Sequence, residues 1–276
     1  MPLQPNDGIG PNEIHIKGVD GIGHTMSQPS PRIIGLIPAR SESTRFPGKA
    51  LADIGGKPMI VRVYEKVAGS KSLQGVFVAT DSRDILDAVQ EHGGQALMTS
   101  RDHASGTDRV AEAARSLSLT GDDIVVNVQG DQPLLAPVMI EQVVGPLLQD
   151  PNIPMSTLMY PIVREEEIHH PNAVKTLVDK EGFAIYFSRS TIPHFRDEES
   201  EPTYFKHHGI YAYRNDFLQV FASLPQGYLE RAERLEQLRA LENGYRIRVV
   251  TTDKDSIEVD TPEDLQRVRD IRVKNN

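Results

Sequence analysis

Residues 33–49 read Ile-Ile-Gly-Leu-Ile-Pro-Ala-Arg-Ser-Glu-Ser-Thr-Arg-Phe-Pro-Gly-Lys, and this stretch decides the fold. Its apolar first part is short and ends at a proline, a pattern that predicts a buried strand. The loop that follows carries Arg40, Arg45 and Lys49, at spacings of five and four residues, among small and hydroxylated side chains. The stretch therefore predicts a strand followed by a cationic loop.

The same alternation continues towards the C-terminus. Further apolar runs predict strands at 76–81 and 123–128. Apolar residues at helical spacing predict helices at 58–67, 82–92, 107–117 and 137–148. Such alternation predicts an α/β fold, in which a mostly parallel, Rossmann-like sheet carries helices on both faces. Ligands of such sheets bind at the carboxyl ends of the strands, where the strand order reverses.

The domain organisation follows from where this alternation stops. Four predicted strands with few helices between them indicate a smaller, mixed α+β lobe at residues 154–215. Residues 31–153 and 216–276 then form the α/β core, with an amphipathic helix at 229–241, a last strand at 244–252 and a C-terminal helix after Asp260. Residues 1–30 have no sustained periodicity, so we expect a disordered leader or tag-like extension there.

Composition excludes several classes of site. The chain has 276 residues and no cysteine, which excludes disulfides, thiolate zinc sites and cysteine nucleophiles. Its formal net charge of -9 disfavours binding to a nucleic-acid backbone. No apolar run is long enough to span a membrane. We therefore expect a cytoplasmic protein whose phosphate binding, if any, is local.

The cationic loop suits a triphosphate. Guanidinium forks, an ammonium and free backbone N–H groups are what phosphate oxygens require. The loop is not a Walker loop, because the Gly-x-x-x-x-Gly-Lys-Ser/Thr spacing is missing. The alternative is an exposed loop with solvated cations, and its position directly after the first buried strand favours the phosphate site.

Two aspartates follow predicted strands and are candidate metal ligands. Asp131 comes after the apolar run at 123–128, and Asp260 comes after the last predicted strand. Mg²⁺ prefers oxygen ligands and takes one or two carboxylates together with phosphate oxygens and water. The alternative for Asp260 is the N-cap of the helix that begins near Pro262. The metal site requires the fold to bring the two carboxylates together.

A series of motifs runs along the chain from residue 32 onward. The first is Ile-Pro-Ala-Arg-x-x-Ser-Thr-Arg-x-Pro-Gly-Lys at 37–49. The others are Val-Ala-Thr-Asp at 78–81, Asp-His-x-Ser-Gly-Thr-Asp-Arg at 102–109, Val-Asn-Val-Gln-Gly-Asp at 126–131, Pro-Asn-Ala-Val-Lys at 171–175, Tyr-Phe-Ser-Arg at 186–189, His-x-Gly-Ile-Tyr at 207–211, Leu-Glu-Gln-Leu-Arg at 235–239 and Val-Asp-Thr-Pro-Glu-Asp-Leu at 259–265. With these motifs the chain resembles the CMP-Kdo synthetase (3-deoxy-manno-octulosonate cytidylyltransferase) family.

The resemblance implies a homodimeric, Mg²⁺-dependent nucleotidyltransferase that joins CMP, taken from CTP, to an acidic eight-carbon sugar. It implies catalytic roles for Arg40, Arg45, Lys49 and Asp131, and metal binding by Asp131 and Asp260. It implies nucleotide binding by Pro38, Ala39, Arg40, Lys49, Ala79, Arg101, Ser105, Gly106 and Gln129. It implies sugar binding by Arg189, His207, Tyr211, Tyr213, Glu236 and Gln237, for which the alternative is that the tyrosines are core residues.

Two positions depart from the family pattern. Members usually place an arginine directly after the threonine of Met-Thr, whereas this chain has Ser100 there and Arg101 one residue later. Gln132 stands where many members carry glutamate. Asp102, His103, Asp108 and Arg109 include the residue types of a catalytic triad. An ordered loop is the better interpretation, because no nucleophile accompanies them.

Three other functions remain open at this point. A cytidylyltransferase for sialic acid or 8-amino-Kdo would share the loop and differ only in its sugar. A nucleotide-sugar glycosyltransferase would show an Asp-x-Asp metal motif, where this chain has Asp131-Gln132-Pro133. A catalytically silent CTP-binding module would not need Lys49, Asp131 and Asp260 together.

Overall fold

The apolar run at the start of the cationic stretch forms the central strand β1 (Ile33–Ala39), and all seven of its residues are buried. Leu36 and Ile37 point to opposite faces and are each 0% exposed, so both faces of the strand are covered. The structure is a computed structural model that describes residues 30–41, 46–196 and 203–275, with side chains as far as residue 271. The predicted leader, apart from Ser30, and Arg45 lie outside the described residues.

Strands and helices alternate as predicted. The other strands are β2 (Gly75–Thr80), β3 (Ala96–Met98), β4 (Ile124–Val128), β5 (Met155–Pro161), β6 (Lys175–Val178), β7 (Ala184–Ser188), β8 (Phe205–Arg214) and β9 (Ile247–Thr251). The helices are α1 (Met59–Ala68), α2 (Arg83–Glu91), α3 (Gly106–Ser116), α4 (Val138–Gln149), α5 (Glu165–His169), α6 (Asn215–Ser223), α7 (Tyr228–Glu233), α8 (Leu238–Glu242) and α9 (Pro262–Asn275).

The described strands form one mixed sheet in the order β3-β2-β1-β4-β8-β5-β9, and β6 joins β8 and β7 beside it. The first four strands are parallel, whereas β8 runs antiparallel to both β4 and β5. Helices α1, α2 and α4 pack on one face, and α3, α6 and α8 pack on the other. The predicted fold class, a mostly parallel α/β sheet with helices on both faces, is confirmed.

The strand order places the functional cleft. The chain runs from β1 outward to β2 and β3, then returns to place β4 on the other side of β1. The crossover connections leave the carboxyl ends of β1 and β4 uncovered, and this is where ligands bind in open α/β sheets. The residues that follow these strands, Arg40 and Asp131 among them, therefore lie at the same edge of the sheet.

The segment predicted as a second lobe is built into this sheet. Strands β5 and β8 lie between β4 and β9, so residues 31–276 form one compact unit. The hairpin β6–β7 and the short helix α5 are the parts of residues 154–215 that extend beyond the central strands. The predicted antiparallel character is present, and sugar binding and dimerisation through this segment stay predictions.

The single helix predicted at 229–241 is wrong, because the chain forms α7 and α8 with a break between them. Arg234 adopts a left-handed conformation at φ 55, which few non-glycine residues tolerate. The Arg189 guanidinium binds the carbonyl oxygens of Glu233 (2.6 Å) and Arg234 (3.3 Å). This tertiary contact takes the carbonyls that a continuing helix would use, and it overrides the amphipathic pattern.

Among the helices that the structure describes, none combines the length and apolar character that a membrane crossing requires.

A buried ionic cluster fastens the chain after β9 to strand β8. Lys206 is 7% exposed, and its ammonium lies 2.8 Å from Glu167 and 3.0 Å from Asp255. His208, two residues along the same face, is 3% exposed and lies 3.5 Å from Asp255. Burial lowers the pKa of His208 to about 4, with Lys206 acting in the same direction and Asp255 against it.

We expect His208 to make the protein less stable in acid. Its pKa rises from about 4 when folded to 6.5 when unfolded, so the unfolded chain binds more protons between these values. Stability from this group is therefore present above pH 6.5 and is lost as the pH falls towards 4. The slope approaches about 1.4 kcal/mol per pH unit. Urea unfolding of the native chain and His208→Gln between pH 7 and pH 5 checks this, and parallel curves would contradict it.

Candidate active site

A cleft of about 300 Å³ opens at the carboxyl ends of β1 and β4, where the strand order predicts it. Most of the residues predicted to bind the nucleotide or the metal surround it. The lining residues are Pro38, Ala39, Arg40, Lys49, Ala50, His103, Ala104, Ser105, Gly106, Arg109, Gln129, Gly130, Asp131 and Asp260. The predicted phosphate loop, the β4 end and the segment before α9 thus meet in one place.

Lys49 connects the two aspartates that were predicted to bind metal. Its Nζ lies 2.7 Å from Asp131 Oδ2 and 3.4 Å from Asp260 Oδ1, and it also donates to the Val259 carbonyl at 3.1 Å. The N-cap alternative for Asp260 does not hold, because Thr261 and Asp264 cap α9 through reciprocal hydrogen bonds. The fold has therefore brought two carboxylates within reach of a single cation.

The donor set fits Mg²⁺. Two carboxylates that converge on one ammonium supply the ligands that this ion takes from proteins when phosphate oxygens and water complete its shell. In the described part of the chain, no group of three or more His, Asp or Glu residues is arranged to hold a metal ion. Such a site would depend on substrate oxygens, so metal binding would be coupled to nucleotide binding.

Helix α3 begins at the cleft. Ser105 accepts a hydrogen bond from the Asp108 N–H, and the Asp108 carboxylate accepts one from the Ser105 N–H, which forms a capping box. The cap leaves the positive end of the helix dipole facing the cleft. A Cβ on Gly106 would meet Pro38 Cγ at 3.3 Å and Gln129 Oε1 at 3.5 Å, so glycine keeps this wall close to β1.

A buried ion pair positions the start of the predicted phosphate loop. Arg109, 3% exposed, donates to Asp81 Oδ2 at 2.7 Å and to Thr99 Oγ1 at 2.5 Å. The other Asp81 oxygen accepts the N–H of Ser41 at 3.0 Å. Ser41 directly follows Arg40, so the Arg109–Asp81 pair connects the start of the loop to the end of β2 and to α3. Among the residues of the predicted ordered loop, His103 pairs with Glu112, and no triad forms.

A second cavity of about 340 Å³ adjoins the cleft and contains most of the predicted sugar residues. Gly106, Gln129 and Asp260 line both spaces, so the two are continuous. The other lining residues of the second cavity are Thr107, Asn172, Val174, Arg189, His207, Gly209, Tyr211, Leu235, Glu236, Gln237 and Glu258.

The break between α7 and α8 presents two polar side chains to this cavity. Glu236 accepts a hydrogen bond from the Thr107 hydroxyl, and desolvation by burial raises its pKa. Gln237 is 4% exposed, and its Nε2 has no hydrogen-bond partner among the described residues. An unpaired buried donor that lines a cavity is available to a ligand.

Strand β8 supplies the opposite wall. His207 and Tyr211 lie on one face with their rings 5.4 Å apart, and the Thr157 hydroxyl lies 2.8 Å from His207 Nε2. Burial lowers the pKa of His207 to about 3 and raises the pKa of Tyr211 well above its usual value. Both side chains are therefore neutral hydrogen-bonding groups at pH 7.

Arg189 is already bound to the protein. Besides the carbonyls of Glu233 and Arg234, its guanidinium donates to the Pro171 carbonyl at 2.9 Å. It therefore holds the two turns that carry Asn172 and Gln237 into the cavity.

Three of the predicted site residues lie away from these spaces. Ala79 is 0% exposed inside the core, and Arg101 does not line the cleft. Tyr213 is 1% exposed, stacks between Tyr211 and Phe221, and does not line the cavity, so it occupies the core position that was the alternative for the tyrosines.

Sequence reasoning missed Glu258, a carboxylate in the second cavity. Its side chain is exposed and lines the cavity. Partial desolvation by the surrounding protein raises its pKa, and the charges of Asp131 and Asp260 add to the effect. The signal lay in the alternation of an extended chain, which points residues 258 and 260 to the same side.

Comparison with known proteins identifies relatives for the whole described fold. The family profile described as cytidylyltransferase matches residues 34–248. A 3-deoxy-manno-octulosonate cytidylyltransferase of Syntrophus aciditrophicus is 59% identical over 240 residues, which are 87% of this chain and 97% of that protein. One of Desulfatibacillum aliphaticivorans is 55% identical over 237 residues, which are 86% and 97% of the two chains.

Solved structures show the same similarity. CMP:2-keto-3-deoxy-manno-octonic acid synthetase complexed with CTP superposes with a TM-score of 0.84 at 42% identity, over 89% of this chain and 100% of that one. A 4-diphosphocytidyl-2C-methyl-D-erythritol synthase shares the fold alone, with a TM-score of 0.60 at 13% identity over 89% and 100% of the two chains.

The buried pair beside the cleft generates a stability prediction. Arg109→Met leaves Asp81 buried without its counter-ion, and we expect the free energy of unfolding to fall by about 3–5 kcal/mol. Adding Asp81→Asn removes the stranded charge and recovers part of the loss. Urea unfolding measures both, with the exposed Arg115→Met on the same helix as the control. Equal losses in the single and double variants would contradict the role of the pair.

Proposed function

The chain belongs to the cytidylyltransferase family, and from this membership we propose that it transfers CMP from CTP to 3-deoxy-D-manno-octulosonate (Kdo), which releases pyrophosphate. The observation that carries the proposal is the Lys49 ammonium between Asp131 and Asp260, at the junction of the cleft and the second cavity. A nucleotide in the cleft and a sugar in the cavity would meet there. The product would serve lipopolysaccharide synthesis, as the family resemblance implies.

The reaction would be a direct displacement. The anomeric hydroxyl oxygen of the sugar forms a bond to the α-phosphorus of CTP and gives up its proton to water, the bond from that phosphorus to the bridging oxygen breaks, and pyrophosphate leaves. No side chain needs to form a covalent intermediate, so the protein contributes position and charge. Arg40, Lys49 and the predicted Arg45 would neutralise phosphate oxygens, while the Arg109–Asp81 pair holds the start of the loop.

Mg²⁺ fits this chemistry as the cofactor. Held by Asp131 and Asp260 together with phosphate oxygens, it would supply Lewis-acid neutralisation of charge on the transferred phosphoryl group. The two carboxylates orient towards the junction because Lys49 holds both of them, and the Asp131 carbonyl binds the Val259 N–H at 2.9 Å.

The sugar carboxylate requires N–H donors. The unpaired Nε2 of Gln237 is such a donor, and the neutral His207 and Tyr211 provide further polar contacts to the sugar hydroxyls. Arg189 would act mainly by holding the surrounding turns, since three of its N–H groups already bind carbonyls.

Assembly and location belong to the same proposal. The family resemblance implies a homodimer through the segment 154–215, and the exposed apolar side chains Val163 (70% exposed) and Ile185 (59%) would be available to its interface. The chain without cysteine supports a cytoplasmic enzyme.

Pyrophosphate release tests the proposed function. The assay contains CTP and Mg²⁺ and compares Kdo, 8-amino-Kdo and N-acetylneuraminate, each with and without EDTA. We expect release with Kdo that EDTA abolishes. Turnover with only another acid sugar would keep the mechanism and replace the substrate, and silence with all three would contradict a transferase.

The metal assignment generates a second prediction for the same assay. Asp131→Asn removes a carboxylate charge from the junction, and we expect kcat to fall by roughly two orders of magnitude or more. The exposed Asp122→Asn, a matched change of acid to amide, is the control and should leave kcat unchanged. A near-normal rate for the Asp131 variant would contradict its role.

A further inference from the structure

Glu258 lies between two cavities of the molecule. It lines the second cavity, and it also lines an outer cavity of about 440 Å³ that contains the Lys206 cluster. Asn172, His207 and Asp260 are shared by the same two cavities. A sugar held in the second cavity would therefore lie beside the Glu258 carboxylate.

Gln132 fixes this carboxylate in place. Its side chain is 0% exposed, and its Nε2 donates to Glu258 Oε1 at 3.2 Å. The backbone supports the pairing, because the Val259 N–H donates to the Asp131 carbonyl at 2.9 Å and sets the two segments side by side. Gln132 Oε1 is buried and has no hydrogen-bond partner in the described residues, which lowers the stability of the fold. The Gln132–Glu258 pair is therefore poorly explained by a purely structural role.

Strand β8 leaves room for Glu258 on its sugar-binding face. His207, Gly209 and Tyr211 alternate along this face, and the glycine lies in the middle. A Cβ at position 209 would lie 3.7 Å from Glu258 Oε1, so the carboxylate occupies space that a larger side chain would fill. Glu258 thus completes the row of polar groups that faces the sugar.

The Glu258 carboxylate can accept more hydrogen bonds than the protein supplies to it. Among the described residues, its one direct hydrogen bond comes from Gln132, whereas an ionised carboxylate accepts about four. Lys49 balances Asp131 and Asp260, and no described group of three carboxylates is arranged as a metal site. The remaining acceptor positions face a space that suits hydroxyl donors.

We propose that Glu258, anchored by Gln132, contacts the acid sugar directly and determines sugar specificity by accepting hydrogen bonds from its hydroxyl groups. The inference rests on the proposed function. It also accounts for the amide at position 132, because a second carboxylate 3.2 Å from Glu258 would repel it. Gln132 is then a positioning residue, and the amide and the acid form a matched pair.

The test is a comparison of Michaelis constants. Glu258→Gln weakens charge-assisted hydrogen bonds, and we expect the KM for the sugar to rise about tenfold or more while the KM for CTP stays within about twofold. Glu263→Gln, an exposed change of acid to amide five residues away, is the control and should leave both constants unchanged. An unchanged KM for the sugar, or an equal rise in both constants, would overturn the contact.

A double-variant cycle tests the pairing. Gln132→Glu places two acids together and should lower kcat/KM for the sugar, whereas Gln132→Glu combined with Glu258→Gln restores one acid and one amide and should recover part of it. No recovery overturns the matched pair. A native chain that is silent with every acid sugar overturns the proposed function together with this inference, and an active native chain with an unaffected Glu258 variant overturns the inference alone.

Discussion

The contact of Lys49 with Asp131 and Asp260 is the interaction on which the functional architecture depends. These residues follow β1, β4 and β9 respectively, and they meet only when the sheet has the observed strand order. Like charges brought together repel, so the Lys49 ammonium between the two carboxylates offsets their repulsion. Because positive charge is favourable at this point, the site is a candidate for a divalent ion.

Around this centre, buried and half-buried charged side chains hold backbone segments in place. Arg109 and Asp81 hold the start of the phosphate loop, Arg189 holds the turn after α7, and Lys206 holds the chain after β9. Apolar contacts fill the two faces of the sheet, but they have no directional preference. Guanidinium and carboxylate groups do, and they fix the backbone segments to which they are hydrogen-bonded.

The sequence was sufficient for the parallel strands of the sheet and for the segments that meet in the cleft, because both are local patterns. Apolar runs predicted β1 and β4, and the segments that follow these strands contain Lys49 and Asp131. It failed where tertiary contacts override local preference, as in the helix at 229–241 that Arg189 interrupts at Arg234. It also placed Tyr213 beside Tyr211 in the sugar set, although only the structure separates a cavity-facing ring from a core ring on one strand. No sequence motif marks Glu258, and its side chain is held by a hydrogen bond from Gln132, which lies 126 residues earlier in the chain.

Strand β8 lies between β4 and β5, so the walls of the nucleotide cleft and of the sugar cavity belong to adjacent strands of one sheet. Backbone hydrogen bonds join β4 to β8 over Ile124–Val128, so the strands that form the two walls are paired directly. A hinge between rigid bodies would have to break this ladder. Movements that admit substrates and release pyrophosphate are therefore confined to the connections between elements. The rates of substrate entry and pyrophosphate release will depend on loop motion and not on a rotation of domains.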